Sequence, residues 1–429
     1  MTKIKTGIIE GFYSIPWTFE ERKSLIEFLS EVGMDQFFYA PKDDPYHNVK
    51  WREPYTAEKL DELKKLQETA TEKNIEFVWA IHPGQNLIKW ADYDKEIEKI
   101  FKKYDQLHEV GVNSFGLCMD DVDRNQAYED RKYHLRLVKD LIEHISKYDN
   151  KDLIFVNPWY NQAWIDEKGK EYYDMFRNID NLNIMWTGYD VVTPLRHDAN
   201  EAFIKLLDKK PYIWFNWPVN DYKRGEIFME VFEFFDSKDF NYDSIVLNPM
   251  NQAELSKLSI YQAAELYKDP ENYEPIEAFK RGLDYLDKSV AKELFIISDS
   301  FYGSDIYKRE ENKKYLEEAK INEAFDKADN DEVIRLIDEK VTAIDSYEQN
   351  YSNQKLYDEV IPFFESLKYL LLAVKEAING EDKKARELYD KSKSYTIKIY
   401  KEFTQDELID RQVITSKSLD EIYHKLIEE

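Results

Sequence analysis

The sequence predicts an α/β chain: a (β/α)8 TIM barrel over residues 1–265, then an all-α helical bundle over residues 266–429. Three observations carry the prediction. Short β-branched and aromatic runs recur eight times in the first 250 or so residues, which is the size of such a barrel. Longer stretches with helical apolar spacing lie between them. From about Lys268 strand-like runs and prolines thin out, and charged helical patterns continue to Glu429.

The eight runs are Thr6–Ile9, Gln36–Ala40, Ile75–Ile81, Val112–Met119, Leu153–Val156, Asn183–Trp186, Tyr212–Phe215 and Ser244–Leu247. Leu25, Phe28 and Leu29 mark one intervening helix. Leu60, Leu63 and Leu66 mark a second, and Leu135, Val138, Leu141 and Ile142 a third. Thr18 before Glu20 and Glu21, and Thr56 before Glu58, read as helix starts, since acids in a first turn complement the helix dipole. In the C-terminal part, helical patterns run over Tyr315–Phe325, Asp331–Tyr347, Tyr357–Ile378 and Lys383–Phe403. Their charge runs read as solvated faces, and Phe363, Phe364 and Tyr369 as core. A doubly wound open sheet is the competing architecture. The first run, however, is not followed by a Gly-rich phosphate turn.

The formal charge of −26 and pI near 4.8 argue against nucleic acid or an anionic membrane surface as partner, since either needs a cationic footprint. The single cysteine, Cys118, excludes an intramolecular disulfide and a cysteine-rich zinc site. No signal-peptide stretch opens the sequence and no segment approaches a membrane span, so a cytoplasmic protein is expected.

In a barrel of this kind the chemistry sits on loops leaving the C-terminal strand ends. Those ends read Glu10-Gly11-Phe12-Tyr13, Lys42-Asp43-Asp44 with Tyr46 and His47, His82-Pro83-Gly84, Asp120-Asp121, Asn157-Pro158-Trp159-Tyr160, Trp186-Thr187-Gly188, Asn216-Trp217-Pro218 with Asp221-Tyr222, and Asn248-Pro249. The pair Asp120-Asp121 is the most informative. Adjacent carboxylates at a buried strand exit repel each other and lose hydration, which a fold seldom gains from. A site that ionises one acid and protonates its neighbour does use them. Amides and carboxylates match sugar hydroxyls, and aromatic rings match the apolar face of a pyranose. No phosphate cradle or basic cluster accompanies them, which favours a neutral carbohydrate.

Each residue also has a structural reading. Asp and Asn after strands cap helices or close Asx turns. Lys42 with Asp43 and Asp44 can form a local ion-pair knot. His82 can be a hydrogen-bonded core histidine, and Trp79 and Trp164 packing residues. Asp120, Asp121 and Asp123 could instead ligate a hard divalent cation. No H-E-x-x-H pair supports zinc hydrolysis, and no G-x-S-x-G elbow supports a serine hydrolase.

The strings GIIEGFYSIPWT, YAPKDDPYH with KWREPY, the Asp120-Asp121 pair, MWTG with VVT, WFNWPVNDY and LNPMNQAELSK resemble glycoside hydrolase family 84, the β-N-acetylglucosaminidases that include the O-GlcNAcases. The resemblance covers roughly residues 6–265, in family order. It implies a retaining exo-glycosidase without an enzyme nucleophile, an exception to the two-carboxylate scheme. The substrate's 2-acetamido oxygen attacks the anomeric carbon and an oxazoline forms. By motif, Asp120 polarises the acetamido N–H and Asp121 is the general acid and then base. The resemblance places Gly11 and Lys42 at the sugar 3-hydroxyl, and Asp221 at the 4- and 6-hydroxyls with the Asn248 amide beside it. Asn216 and Trp214 line the acetamido pocket, Tyr160 meets the acetamido carbonyl, and Tyr222 is a lid residue. Around Tyr160 the chain departs from the family's V-P-T-E-Y, reading Val156-Asn157-Pro158-Trp159-Tyr160. Phe215 and Ser14 replace the Trp and Gly of some relatives.

The large clostridial relatives carry a signal peptide, an N-terminal domain and carbohydrate-binding modules, and the animal enzymes an acetyltransferase-like region; none of these is expected here, where the barrel pattern starts within the first ten residues and is followed by the helical pattern. In some relatives the helical domain mediates dimerisation, so the resemblance allows a homodimer. No metal or organic cofactor is expected, and the expected partner is a carbohydrate or glycoprotein bearing β-N-acetylglucosamine. Competing readings are a catalytically inactive carbohydrate- or glycopeptide-binding barrel, a metal-dependent hydrolase on the same fold, and a hyaluronidase-type glycosidase.

Overall fold

The structure, a computed structural model, describes residues 3–85, 88–233, 240–307, 318–401 and 407–428. Eight parallel strands close into a barrel in chain order. They are β1 (Lys5–Glu10), β2 (Gln36–Tyr39), β3 (Glu76–Ile81), β4 (Ser114–Cys118), β5 (Leu153–Val156), β6 (Leu182–Trp186), β7 (Tyr212–Phe215) and β8 (Ser244–Leu247). Each of the eight predicted runs contains or overlaps one of them. Closure is made by β1 on β8, with Thr6 opposite Ile245 and Ile8 opposite Leu247.

The strand period of two sorts the side chains. Ile9, Phe38, Val78, Ala80, Cys118, Ile154, Val156, Met185, Tyr212, Trp214 and Val246 converge on one buried cluster. Their neighbours along the strands, such as Phe37, Phe77, Leu117 and Phe155, are buried as well. Burial on both faces explains why the strands read as continuous apolar runs rather than alternating ones. Gly116 permits the close approach of Phe38 and Ala80, because a Cβ there would sit 2.8 Å from the Phe38 ring.

Thr18 caps the helix Phe19–Val32 and forms a capping box with Glu21, and Thr56 caps Ala57–Glu72. Such a cap contributes on the order of 1 kcal/mol. Leu25, Phe28 and Leu29 of the first helix, Leu63 and Leu66 of the second, and Val138 and Leu141 of Arg131–Ile145 are buried.

The chain forms two compact units that interleave along it. One comprises Met1–Val219, Phe234–Asn251 and Ala264–Glu271; the other Asn220–Glu233, Gln252–Ala263 and Asn272–Glu429. Residue 265 lies within the helix Ala253–Lys268.

The second unit is mainly helical, with Pro275–Asp287, Asn330–Asn350, Gln354–Ile378, Asp382–Ser392 and Lys417–Glu428 among its elements. Asp331–Tyr347 and Tyr357–Ile378 are helical as predicted. The helix predicted over Tyr315–Phe325 is observed as Glu318–Asp326, and residues 315–317 lie outside those described. The pattern over Lys383–Phe403 is helical only to Ser392. It then gives β9 (Thr396–Tyr400), antiparallel to β10 (Leu408–Gln412), while Phe403 lies outside the described residues. Thr396-Ile397-Lys398-Ile399-Tyr400 is β-branched or aromatic at four of five positions, which favours a pleated strand over a helical turn. The segment Asn220–Glu233 is anchored inside this unit. Glu230 Oε1 accepts from the Gly303 and Ser304 amides at 3.0 and 2.8 Å, and Ile414 N donates to Gly225 O at 2.7 Å. No helix among the described residues is long and apolar enough to cross a membrane.

Candidate active site

Pairing of β4 with β5 continues one residue past the strand, where Met119 N donates to Val156 O at 2.7 Å. Asp120 is therefore delivered to the barrel mouth on a fixed backbone. It is buried and ion-paired with Lys42, itself buried at the exit of β2. His82, at the exit of β3, places Nε2 at 3.0 Å from the Asp120 carbonyl and 3.1 Å from its Oδ1. Burial alone would raise the Asp120 carboxyl, but Lys42 and His82 outweigh it and hold the group well below the usual carboxylate range. Burial likewise opposes the Lys42 ammonium, yet Asp120 keeps that group above its ordinary value. The pair is thus a carboxylate and an ammonium.

Asp121 is treated differently. Its backbone sits in the left-handed region with φ +54°, uncommon for a residue with a Cβ. The side chain is exposed, and two phenols converge on it. Tyr13 donates to Oδ2 at 2.6 Å and Tyr160 to Oδ1 at 3.0 Å. Gln85 Nε2 donates to the Tyr13 oxygen at 3.3 Å, which leaves the Tyr13 proton for Asp121. Burial, then Asp121 and Asp120, push both phenols up, so they remain O–H donors.

A second network joins β1, β7 and β8. Asn248 Oδ1 accepts from the Gly11 amide at 3.2 Å, and Asn248 Nδ2 donates to Asn216 Oδ1 at 2.9 Å. Trp214 Nε1 donates to the same oxygen at 2.9 Å, and Asn216 Nδ2 donates to Val191 O at 2.8 Å. Lys42 Nζ lies 5.4 Å from the Trp214 ring centre, which links the two networks. A Cβ on Gly11 would fall 2.3 Å from the Trp214 ring. Gly11→Ala is therefore expected to displace that indole, destabilising the protein by about 1–3 kcal/mol. It should also raise KM more than it lowers kcat; a thermal melt and initial-rate kinetics read both.

Eight of the ten residues named from sequence are joined by these contacts: Gly11, Lys42, Asp120, Asp121, Tyr160, Trp214, Asn216 and Asn248. Asp221 and Tyr222 are not. They lie in the second unit on the turn Asp221–Lys223, where the Tyr222 hydroxyl accepts from Asp305 N at 3.0 Å. The expected use of Gly11 through its backbone is narrowed, because its N–H already faces Ile9 O and Asn248 Oδ1.

Several structural readings win elsewhere. Asp123 caps the helix Arg124–Glu129 through Gln126 N at 2.8 Å. Asn157 turns on itself through Trp159 N at 2.7 Å. Asp44 accepts from Tyr39 at 2.7 Å, from Tyr55 at 3.1 Å and from Tyr46 N at 2.9 Å. Lys42 has Asp120 as its ion-pair partner rather than the neighbouring Asp43 or Asp44. Glu10 is buried with Arg22, whose Nε and Nη2 both donate at 2.7 Å. No group of three or more His, Cys, Asp or Glu among the described residues could hold a metal ion. Tyr13 stands at the first strand exit, two residues after Gly11, with no role expected from sequence, yet its hydroxyl donates to Asp121. Sequence reasoning weighed His82 as core, and the residue is both buried and in contact with Asp120.

Comparison with known proteins places this geometry in context. The family described as beta-N-acetylglucosaminidase (NAGidase) matches residues 6–299. The Protein O-GlcNAcase of Rattus norvegicus is 27% identical over 283 residues, 62% of this chain and 30% of the relative. The matched region thus spans less than a third of that relative's length. The solved structure of CpGH84D superposes with a TM-score of 0.81 at 26% identity, covering 98% of this chain and 74% of that one. A mutant of the Thermobaculum terrenum O-GlcNAc hydrolase shares the fold, with a TM-score of 0.81 at 22% identity over 99% and 94% of the two chains.

Proposed function

Since the chain belongs to the beta-N-acetylglucosaminidase family of glycoside hydrolases, we propose that it is a retaining exo-β-N-acetylglucosaminidase of the O-GlcNAcase type. It releases terminal β-linked N-acetylglucosamine by substrate-assisted catalysis. The observation that carries this reading is the unequal treatment of two adjacent acids. Asp120 is buried, ionised and fixed by Lys42 and His82, whereas Asp121 is exposed on a strained backbone and held by two phenols.

The chemistry follows from that division. The Asp120 carboxylate accepts the acetamido N–H, which pushes electron density onto the acetamido oxygen. That oxygen bonds to the anomeric carbon as the glycosidic C–O bond breaks. Asp121 delivers a proton to the departing oxygen. Positive charge then spreads over the oxazoline ring beside the fixed Asp120 anion, whose orientation needs no rearrangement during the reaction. In the second half Asp121 takes a proton from water, the water oxygen bonds to the anomeric carbon, and the ring bond to the acetamido oxygen opens. Configuration at that carbon is retained through two inversions. Trp214 and Asn216 wall the acetamido pocket, Asn248 faces the 4- and 6-hydroxyls, Tyr160 meets the acetamido carbonyl, and Lys42 and the Gly11 carbonyl meet the 3-hydroxyl.

A thiazoline that mimics the oxazoline tests this reading. Competitive inhibition at least about 100-fold below the substrate KM is expected of an intermediate mimic. Inhibition no tighter than by N-acetylglucosamine itself would exclude attack by the acetamido oxygen.

A further inference from the structure

Arg124 follows the acid pair by three residues and has no assigned task. Its neighbours are tied down: Asp123 caps the short helix, and Asn125 Oδ1 accepts from Lys168 Nζ at 2.9 Å. The Arg124 side chain is exposed and makes no hydrogen bond or ion pair within the described residues, in a chain with 86 acidic residues. Its guanidinium instead lies 4.3 Å from the centre of the Trp164 ring. Trp164 packs against the barrel interior cluster and meets Tyr160 edge-on, with ring centres 4.8 Å apart. Tyr160 in turn donates to Asp121. A continuous wall therefore runs from the Asp121 carboxyl through Tyr160 and Trp164 to an arginine with unused donors.

Stacking on an indole orients the guanidinium plane without consuming its N–H groups. Such a fork matches a carboxylate in two parallel hydrogen bonds. We propose that Arg124, held by Trp164, selects leaving groups that carry a carboxylate a short reach beyond the glycosidic oxygen. The inference rests on the reading of Asp121 as the acid that meets the leaving oxygen, since this puts the Arg124 side of the wall at the leaving group. It gives the site a specificity that the sugar-binding residues do not supply. In a strongly acidic protein, a cation at this rim also offsets the repulsion that an anionic leaving group would otherwise meet.

The test uses two synthetic peptides with β-N-acetylglucosamine on serine, differing only in glutamate or glutamine two residues from that serine. The wild-type protein should prefer the glutamate peptide by about three- to tenfold in kcat/KM at low salt, with the preference shrinking as salt rises. Arg124→Gln should bring the ratio close to one, Arg124→Lys should keep part of it, and Trp164→Leu should reduce it by releasing the guanidinium. The ratio is internal to each protein, so a general loss of activity cancels. A wild-type ratio near one, or a ratio unchanged in Arg124→Gln, overturns the inference while leaving the glycosidase reading intact. Failure of the wild type to cleave an aryl N-acetylglucosaminide overturns both.

Discussion

Asp121→Asn is expected to lower kcat/KM on N-acetylglucosaminides with alkyl-like leaving groups by about 10²–10⁴-fold, the range that a positioned general acid contributes. Asparagine keeps the shape and can still meet Tyr13 and Tyr160, but it has no proton to give. The loss should depend on the leaving group. A nitrophenolate-type leaving group needs little protonation, so bond cleavage should recover much of its rate and the water step should become limiting. Azide, which needs no deprotonation, should then accelerate turnover and yield a glycosyl azide of retained configuration. Full activity of Asp121→Asn on both substrate types would reassign the acid.

Substitution of Asp120 should cost chemistry and stability together, and equally for good and poor leaving groups. On the proposed mechanism, removing a fixed charge beside the oxazoline cation is expected to lower kcat by about 10²–10³-fold. Asp120→Ala also leaves the Lys42 ammonium buried without its counter-ion, a loss on the order of 3–5 kcal/mol. Asp120→Asn retains hydrogen bonding and should lose less stability for a similar loss of rate. The pH dependence has a definite sign. The folded-state carboxyl lies below its unfolded value of about 4, so the ion pair's contribution is complete above that pH and drains as pH falls through and below it. Melting curves of wild type and Asp120→Ala should therefore be far apart at neutral pH and converge in acid. A gap that stayed constant with pH would show that the aspartate contributes nothing through its charge.

The barrel was legible because its strands are buried on both faces. Runs such as Val112–Met119 carry no polar residue in the strand except small or special ones, and each ends abruptly in a polar or special residue. The candidate site was legible for the same reason, since a closed barrel gathers its eight strand exits by topology alone. Pairing across the site was not. Nothing in Lys42-Asp43-Asp44 says that the lysine reaches across to Asp120 while Asp44 turns onto tyrosines; burial decides that, through contacts 78 residues apart in the case of Lys42. Strand β9 falls inside the helical pattern over Lys383–Phe403, because Lys398 and Lys401 continue the charge spacing of the preceding helix. The left-handed backbone of Asp121 leaves no mark in composition, because aspartate tolerates that conformation better than most residues.

The stretch Asn220–Glu233 has a consequence for the heredity of this chain. It leaves the last-but-one barrel strand, yet its fastenings — the amides of Gly303 and Ser304, the hydroxyl of Tyr302 and the backbone of Ile414 — are encoded much later. A fragment ending at 265 would keep Asp221 and Tyr222 but forfeit every one of those fastenings. A single genetic crossover near residue 265 would part this stretch from its fastenings, so the sequence beyond that point cannot be exchanged with a relative as a self-contained module.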